Sequence, residues 1–508
     1  MRSLFGCGWV VGGHHENITA NHSSQISSAA STLKVAKILI EPKPVLTPEF
    51  WEAEGMGCLP PPRCDNCRGC MERGPCSEKH FTHSVKKQAE LDLICSKTKL
   101  HEGEIWCEYP FKKDPSCLSH NRSTVIKVAE KVEKDLLRDG LYECYNDQIR
   151  DQLKRGVAVK LSQDEISSWT GPCNWITHHA VLKDSVTTPV RVVSNSSFNN
   201  RGHSLNSCLA AGPNSLNPML DVMLRFRCQP VAVQFDMAKA YNTLRTGPVE
   251  RHVRRFVWRF CPTDPWEDYA LDRVHFGDAC AATQLEVAKN IVAEAGTYID
   301  PEAARRIKDD VYVDDMLTGG TEEQVKRFIG VKDADNNYNG TFSQILAIGN
   351  FRIKAYAISG QKSTEESSLL GDKVLGYQYS LESDVLGVRF PINLSKKRRS
   401  VRQEKNLSLD DVRILRDKPL TKRLLLGVVN GFGDFLGIAA PFVIKYKSLM
   451  RELFLLEEPL AWDDVIPEQF RSAWIDLIIE TLEHGDLLFP RCARPSDAVN
   501  NIGVSWIQ

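Results

Sequence analysis

No stretch of the 508-residue chain stays apolar for long enough to cross a membrane. The longest apolar run, residues 424–444, contains Asn430, Asp434, four glycines and Pro441. An aspartate near the middle of a span costs about 2.5–3.5 kcal/mol, so the run reads as a buried helix–turn–helix. The start, with Phe5, Trp9, Val10 and Val11 among glycines, has too short an apolar stretch for a secretory signal and no small-residue cleavage site after it. Charge of one sign is also missing. Lys+Arg number 64 and Asp+Glu 65, so the net charge of −1 points to no partner. The 16 cysteines lack the even spacing of a disulfide framework, which fits an intracellular, cytoplasmic chain of mostly reduced thiols. There is no internal repeat. At 42% hydrophobic and 25% charged, the composition excludes wholesale disorder and collagen-like structure, and the length suggests about three structural units.

Charge is present locally. Residues 391–424 carry eleven Lys/Arg against four Asp/Glu, with Lys396-Lys397-Arg398-Arg399 at the centre. Such a stretch in a near-neutral chain is an electrostatic footprint for phosphates, or else a solvated loop or import signal. Residues 14–31 are rich in Ser, Asn and His and read as a linker. Val125, Val128, Val132, Leu136 and Leu137 recur at helical spacing, and a second helix follows through Ile149 and Leu153. Residues 176–193 predict a β-hairpin with its turn at 185–188. Residues 231–235 predict a buried strand, and a strand pair is expected around Asp314. Past Leu424 the pattern is helical, with Phe470, Trp474, Leu477, Ile478 and Leu482 in one stripe. The order of elements is α+β with a helical C-terminal third.

Two adjacent aspartates, Asp314 and Asp315, interrupt the apolar pattern Val311-Tyr312-Val313 and Met316-Leu317. Adjacent carboxylates in such a setting repel each other and call for a counter-charge. At a hairpin tip divalent cations supply it, since Mg²⁺ favours a few carboxylate oxygens plus substrate phosphates. A third carboxylate, Asp236, follows the strand at 231–235. Three carboxylates at the ends of neighbouring strands suit two metals in an in-line phosphoryl displacement. Taken alone, an Asp-Asp pair is more often a simple turn.

The surroundings resemble a known family. Tyr312-Val313-Asp314-Asp315 resembles the palm signature of reverse transcriptases, and Phe235-Asp236-Met237-Ala238-Lys239-Ala240-Tyr241 the first palm motif. Val274-His275-Phe276-Gly277-Asp278, followed by Ala281-Ala282-Thr283-Gln284, resembles the middle motif, and the three occur in the required order. The finer likeness is to BEL/Pao-type LTR retrotransposon Pol polyproteins. It is carried by Thr188-Pro189-Val190-Arg191-Val192-Val193, Ser204-Leu205-Asn206, Gly212-Pro213, Val374-Leu375-Gly376, Thr421-Lys422-Arg423, residues 434–441 and Leu460-Ala461-Trp462-Asp463-Asp464. It spans roughly residues 58–508, and residues 5–13 are similar to the end of the retropepsin-like protease that precedes such polymerases.

The resemblance implies a right-hand polymerase of fingers, palm and thumb with a helical connection-like region. Residues 1–13 would be the protease remnant, 14–57 a linker, 58–118 a Cys-rich segment, 119–385 fingers and palm, and 386–508 thumb and connection. It implies RNA-directed DNA polymerase activity with template–primer and dNTPs as partners, beside protease, RNase H and integrase in the full polyprotein, in the cytoplasm or a virus-like particle. Asp236, Asp314 and Asp315 would hold two Mg²⁺. Arg191 would grip the triphosphate, Tyr241 would exclude a 2′-hydroxyl, Phe276 and Gly277 would shape the nucleotide pocket, and Lys354 would protonate departing pyrophosphate. Against these stand a hairpin surface charge, a core tyrosine, plain packing and a solvated lysine. Lys396, Lys397, Arg398 and Arg399 would contact template–primer phosphates.

Cys64, Cys67, Cys70 and Cys76, with His80 and His83 nearby, have short metal-like spacing and are candidate ligands for structural Zn²⁺, against reduced structural thiols. Three departures stand out. No Asp-Thr-Gly or Asp-Ser-Gly triplet exists, which argues against aspartic peptidase activity; Asn195 stands where such elements usually carry aspartate; and Tyr379 stands at the family tryptophan. An RNase H domain is expected only beyond Gln508. The rival reading is a decayed or domesticated fragment that binds nucleic acid without catalysis.

Overall fold

The computed structural model describes residues 85–493 except 183–189, 333–337, 365–367, 369, 371–372, 396, 399–400, 403–404, 412–414 and 416–418. All but the first two described residues lie in the unit Lys87–Gln508. Helices and sheets are mixed throughout, as the α+β pattern predicts.

The central sheet has four strands: β1 (Val231–Met237), β2 (Val311–Tyr312), β3 (Asp315–Gly320) and β4 (Ile353–Ile358), in the order β4-β1-β3-β2. All pairings are antiparallel. Strand β1 is apolar almost without break because both of its faces are covered. Successive side chains alternate between two cores. Val233, Phe235 and Met316 join one with the helices Ala281–Ala295, Pro301–Asp309 and Thr341–Ala347, whereas Ala232 and Leu317 join the other. The second core fills the space between a four-stranded sheet and the C-terminal helices. That sheet consists of β5 (Lys373–Val374), β6 (Tyr377–Ser380), β7 (Val385–Val388) and β8 (Leu487–Pro490). Position 385 opens β7, which pairs with β8 about 100 residues later along its whole length, so the segments on either side of 385 share one sheet.

Arg491 closes this arrangement. Its guanidinium is fully buried, forks onto both oxygens of Asp384 at 2.6 and 2.7 Å, and donates to the carbonyls of Phe226 and Gln229 at 2.7 Å. It thereby satisfies C-terminal carbonyls of the helix Met219–Cys228 while tying in the end of β8.

The predicted hairpin forms as Thr177–Leu182 paired with Val190–Asn195, Val181 standing opposite Arg191; its turn lies outside the described residues. The two predicted helices run Arg122–Arg138 and Tyr142–Lys154. The first buries Val125, Ala129, Glu133 and Leu136, whereas Leu137 is exposed. Glu133 lies on the inner face because Arg259 meets it with two bonds of 2.9 and 2.6 Å, a partnership 126 residues away. Residues 424–444 form the expected helix–turn–helix within Lys422–Val429 and Ala440–Phe454, and Trp474, Leu477 and Ile478 are buried on Glu468–His484. No described helix is long and apolar enough to cross a membrane.

Candidate functional site

Strands β2 and β3 are joined by the two residues Val313-Asp314, with Val313 at φ 61°. A β-branched residue is costly in the left-handed region, and such strain persists where the surroundings over-determine it. Here β3 pairs with β2 on one side and β1 on the other, and the Asp314 carbonyl accepts the Met237 N–H at 3.0 Å. This reverse turn sets Asp314 beside the end of β1. Asp315 stands directly opposite Asp236 in the register of β3 and β1. Ligand oxygens of Asp236, Asp314 and Asp315 all lie within 4.8 Å of one another. All three carboxylates are partly exposed, none of them buried. Among the described residues this is the one such group of three metal-capable side chains. The donors are hard oxygens, open on one side and mutually repelling, and they fit Mg²⁺.

Lys354 lies on β4, where the register slips between Ile353 and Ala355. The irregularity accompanies an ion pair with Asp236, Nζ to Oδ2 at 3.7 Å, and the lysine remains 40% exposed. After β1 the chain turns at Lys239 (φ 53°) into the short helix Ala240–Thr243. That turn brings Tyr241 back toward the carboxylates. Its phenol is pushed up to about 12 by burial and by the charge of Asp314, so it is neutral at pH 7. Its ring lies 4.4 Å from that of Phe276, which is 51% exposed. Gly277, at φ +108°, presses against the strand Val190–Asn195: a Cβ there would stand 2.6 Å from the Ser194 carbonyl. Arg191 is exposed on that same strand. Asn195, at the aspartate position, accepts the Ser197 N–H at 3.1 Å.

The other site expectations fare differently. Lys397 and Arg398 form a short strand pairing with Val401–Arg402, while Lys396 and Arg399 lie outside the described residues. So do Cys64, Cys67, Cys70 and Cys76, His80, His83 and residues 1–57. Tyr379 is buried against Phe226 and donates to Asp384 at 2.9 Å.

Behind the Phe276–Gly277 turn lies a buried polar cluster whose members Asp278 and Asn206 stand in strings that carry the resemblance, but whose bonding the sequence does not show. Asp278 accepts from Ser196 Oγ at 2.5 Å and from the Tyr109 hydroxyl, with Arg254 Nη1 3.4 Å away. Asn206 bonds the same turn. The partners come from segments up to 169 residues apart, so no local spacing could reveal them.

Two solved structures are similar to parts of this chain. One is a foamy viral protease-reverse transcriptase in complex with RNA/DNA hybrid, 13% identical over 66% of this chain and 36% of that one, with a TM-score of 0.38. The other is a foamy viral protease-reverse transcriptase dRH in complex with double-stranded DNA, 13% identical over 67% and 48%, with a TM-score of 0.39. The chain thus spans less than half the length of either. No curated protein matches. Residues 421–505 match the family described as Pao retrotransposon-like RNaseH-like domain. That description differs from the thumb and connection expected there; the described part consists of three helices and strand β8. The matched segment includes Thr421-Lys422-Arg423 and Leu460-Ala461-Trp462-Asp463-Asp464, two strings on which the resemblance to BEL/Pao-type retroelement Pol sequences rests.

Proposed function

We propose that this chain is an RNA-directed DNA polymerase, with residues 119–385 as fingers and palm and 386–508 as thumb and connection-like region. The observation that carries the reading is the convergence of Asp236, Asp314 and Asp315 within 4.8 Å at the end of paired strands. Two Mg²⁺ ions held by these carboxylates would supply Lewis-acid activation of the primer 3′-hydroxyl and charge neutralisation on the phosphates. The primer oxygen bonds to the α-phosphorus of the dNTP as the bond to pyrophosphate breaks. Arg191 grips the triphosphate, and Phe276 and Gly277 form the floor of the nucleotide pocket beside Tyr241. Lys354, already next to Asp236, is the proton donor to the departing pyrophosphate. The partners are template–primer, dNTPs and the other Pol products, in the cytoplasm or a virus-like particle. The Cys64, Cys67, Cys70 and Cys76 group is a candidate Zn²⁺ site in the same protein.

Primer extension on a homopolymer template tests this reading, with Asp314→Asn alongside. Wild type extends, and the variant binds duplex normally but loses extension, because duplex affinity rests on phosphate contacts elsewhere. Extension retained in Asp314→Asn overturns the site. Binding without extension in wild type establishes the rival, a decayed nucleic-acid-binding fragment.

A further inference from the structure

The turn that carries Phe276 and Gly277 is gripped by a single amide side chain from a distant segment. Asn206 belongs to the short helix Leu205–Cys208, anchored by a reciprocal cap in which Ser204 Oγ accepts the Ser207 N–H and Ser207 Oγ accepts the Ser204 N–H. Asn206 Nδ2 donates to the Gly277 carbonyl at 2.8 Å, and its Oδ1 accepts the Ala279 N–H at 2.8 Å. The two bonds bracket Asp278 and close a ring across the turn. The same Nδ2 donates to Ser197 Oγ at 2.8 Å, and the Asn206 N–H donates to the Ser196 carbonyl at 3.0 Å. Both ends of the amide are therefore committed, which fixes its orientation: the carbonyl end can only accept and the NH₂ end can only donate. Aspartate would lack the donor, and serine would lack the reach.

Other contacts prevent the turn from moving away. Gly277 abuts the Ser194 carbonyl so closely that no side chain fits. The buried Asp278 carboxylate is held by Ser196, Tyr109 and Arg254. Only Phe276 projects, half exposed and 4.4 Å from Tyr241. Neither Asn206 nor Asp278 touches the carboxylate triad through any of these bonds. Their leverage runs through the position of Phe276 and Gly277.

We propose that Asn206 is a positioning residue for the incoming nucleotide, setting the height of the Phe276–Gly277 turn relative to Tyr241 and to the strand that bears Arg191. The proposal rests on the polymerase reading above. It assigns the amide to substrate fit, and the chemical step to other groups.

The test compares wild type with Asn206→Ala and Asn206→Asp in single-nucleotide incorporation, template–primer binding and hydrogen exchange of the amides of residues 277–279. Removing both turn bonds in Asn206→Ala should raise the KM for dNTP about tenfold, the equivalent of about 1.4 kcal/mol. The maximal rate and the template–primer Kd should stay within about twofold of wild type, and exchange at Ala279 should speed up. Asn206→Asp keeps the acceptor and loses the donor, so Ala279 stays protected while KM still rises. This split between the variants is not expected of a general loss of stability. Unchanged exchange in Asn206→Ala would remove the clamp. Faster exchange with unchanged KM, or an equal fall in rate and template–primer affinity, would remove its role in nucleotide placement. If Asn206→Ala does not fold, Asn206→Asp decides through its own KM. A wild type that extends no primer overturns the polymerase reading, and the nucleotide role with it, while exchange still decides whether the clamp exists.

Discussion

Asp315 faces Asp236 squarely across an antiparallel strand pair. Like charges opposite each other on one face of a sheet destabilise it, and a third carboxylate, Asp314, completes the group. Lys354 offsets part of this repulsion from β4. The arrangement is what a stable scaffold would avoid and what a cation-binding site requires.

Divalent cations should therefore raise thermal stability. Mg²⁺ or Mn²⁺ added to the purified protein should increase Tm in a saturable manner, following the linkage between binding and folding. Asp315→Asn should raise the metal-free stability by about 0.5 kcal/mol through relief of repulsion, and it should weaken the metal-dependent rise. A metal-induced shift of the same size in the variant would remove Asp315 from the site.

Tyr241 packs against Phe276 with ring centroids 4.4 Å apart and feels the charge of Asp314, and in the proposed polymerase its ring would block a ribose 2′-hydroxyl. Tyr241→Ala should let ribonucleotides be incorporated while deoxynucleotide extension continues at reduced efficiency. If the ring only filled the core, its loss would cost about 3–5 kcal/mol and abolish soluble protein and activity together. Matched ribo- and deoxynucleotide incorporation by folded wild type and variant separates the two. An unchanged preference for deoxynucleotides rules out the gate.

Neutralising Lys396, Lys397, Arg398 and Arg399 should weaken template–primer binding at every sequence. For each phosphate that no longer meets a cation, the slope of log K against log salt should fall by about 0.7–0.9. Binding measured across a salt series checks this, and an unchanged slope returns the stretch to a solvated loop.

His178 gives the fold an acid sensitivity. Its ring is buried, with Nδ1 2.7 Å from the Tyr145 hydroxyl and Nε2 3.1 Å from the Val257 carbonyl, and burial lowers its pKa to about 4. The unfolded chain takes up a proton near pH 6.5 that the folded chain refuses until about pH 4, so stability falls as pH drops through this window. The loss approaches roughly 3 kcal/mol at the acid end. Urea midpoints at pH 7.5 and 5 should show it. His178→Phe should be less stable at pH 7.5 yet lose less on acidification. An equal loss in both proteins would place the sensitivity elsewhere.

The one-dimensional pattern determined a good deal about this protein. The apolar run at 231–235, the interrupted run around Asp314 and the hairpin pattern over 176–193 are local signals, and strands form at each of them. Spacing and order likewise made Asp236, Asp314 and Asp315 candidates before any fold was known. Their convergence was a matter of tertiary structure, because it depends on the register that sets Asp315 opposite Asp236 and on the left-handed Val313 that reverses the chain. The pairing of buried Glu133 with Arg259 and of buried Arg491 with Asp384 has no local signature, since the partners lie 126 and 107 residues apart. Asn206 and Asp278 stand in strings that carry the family resemblance, yet their bonding partners are equally hidden there. A polar side chain carries no periodic signal, and its role is decided by the distant carbonyls, amides and hydroxyls that folding brings within 3 Å.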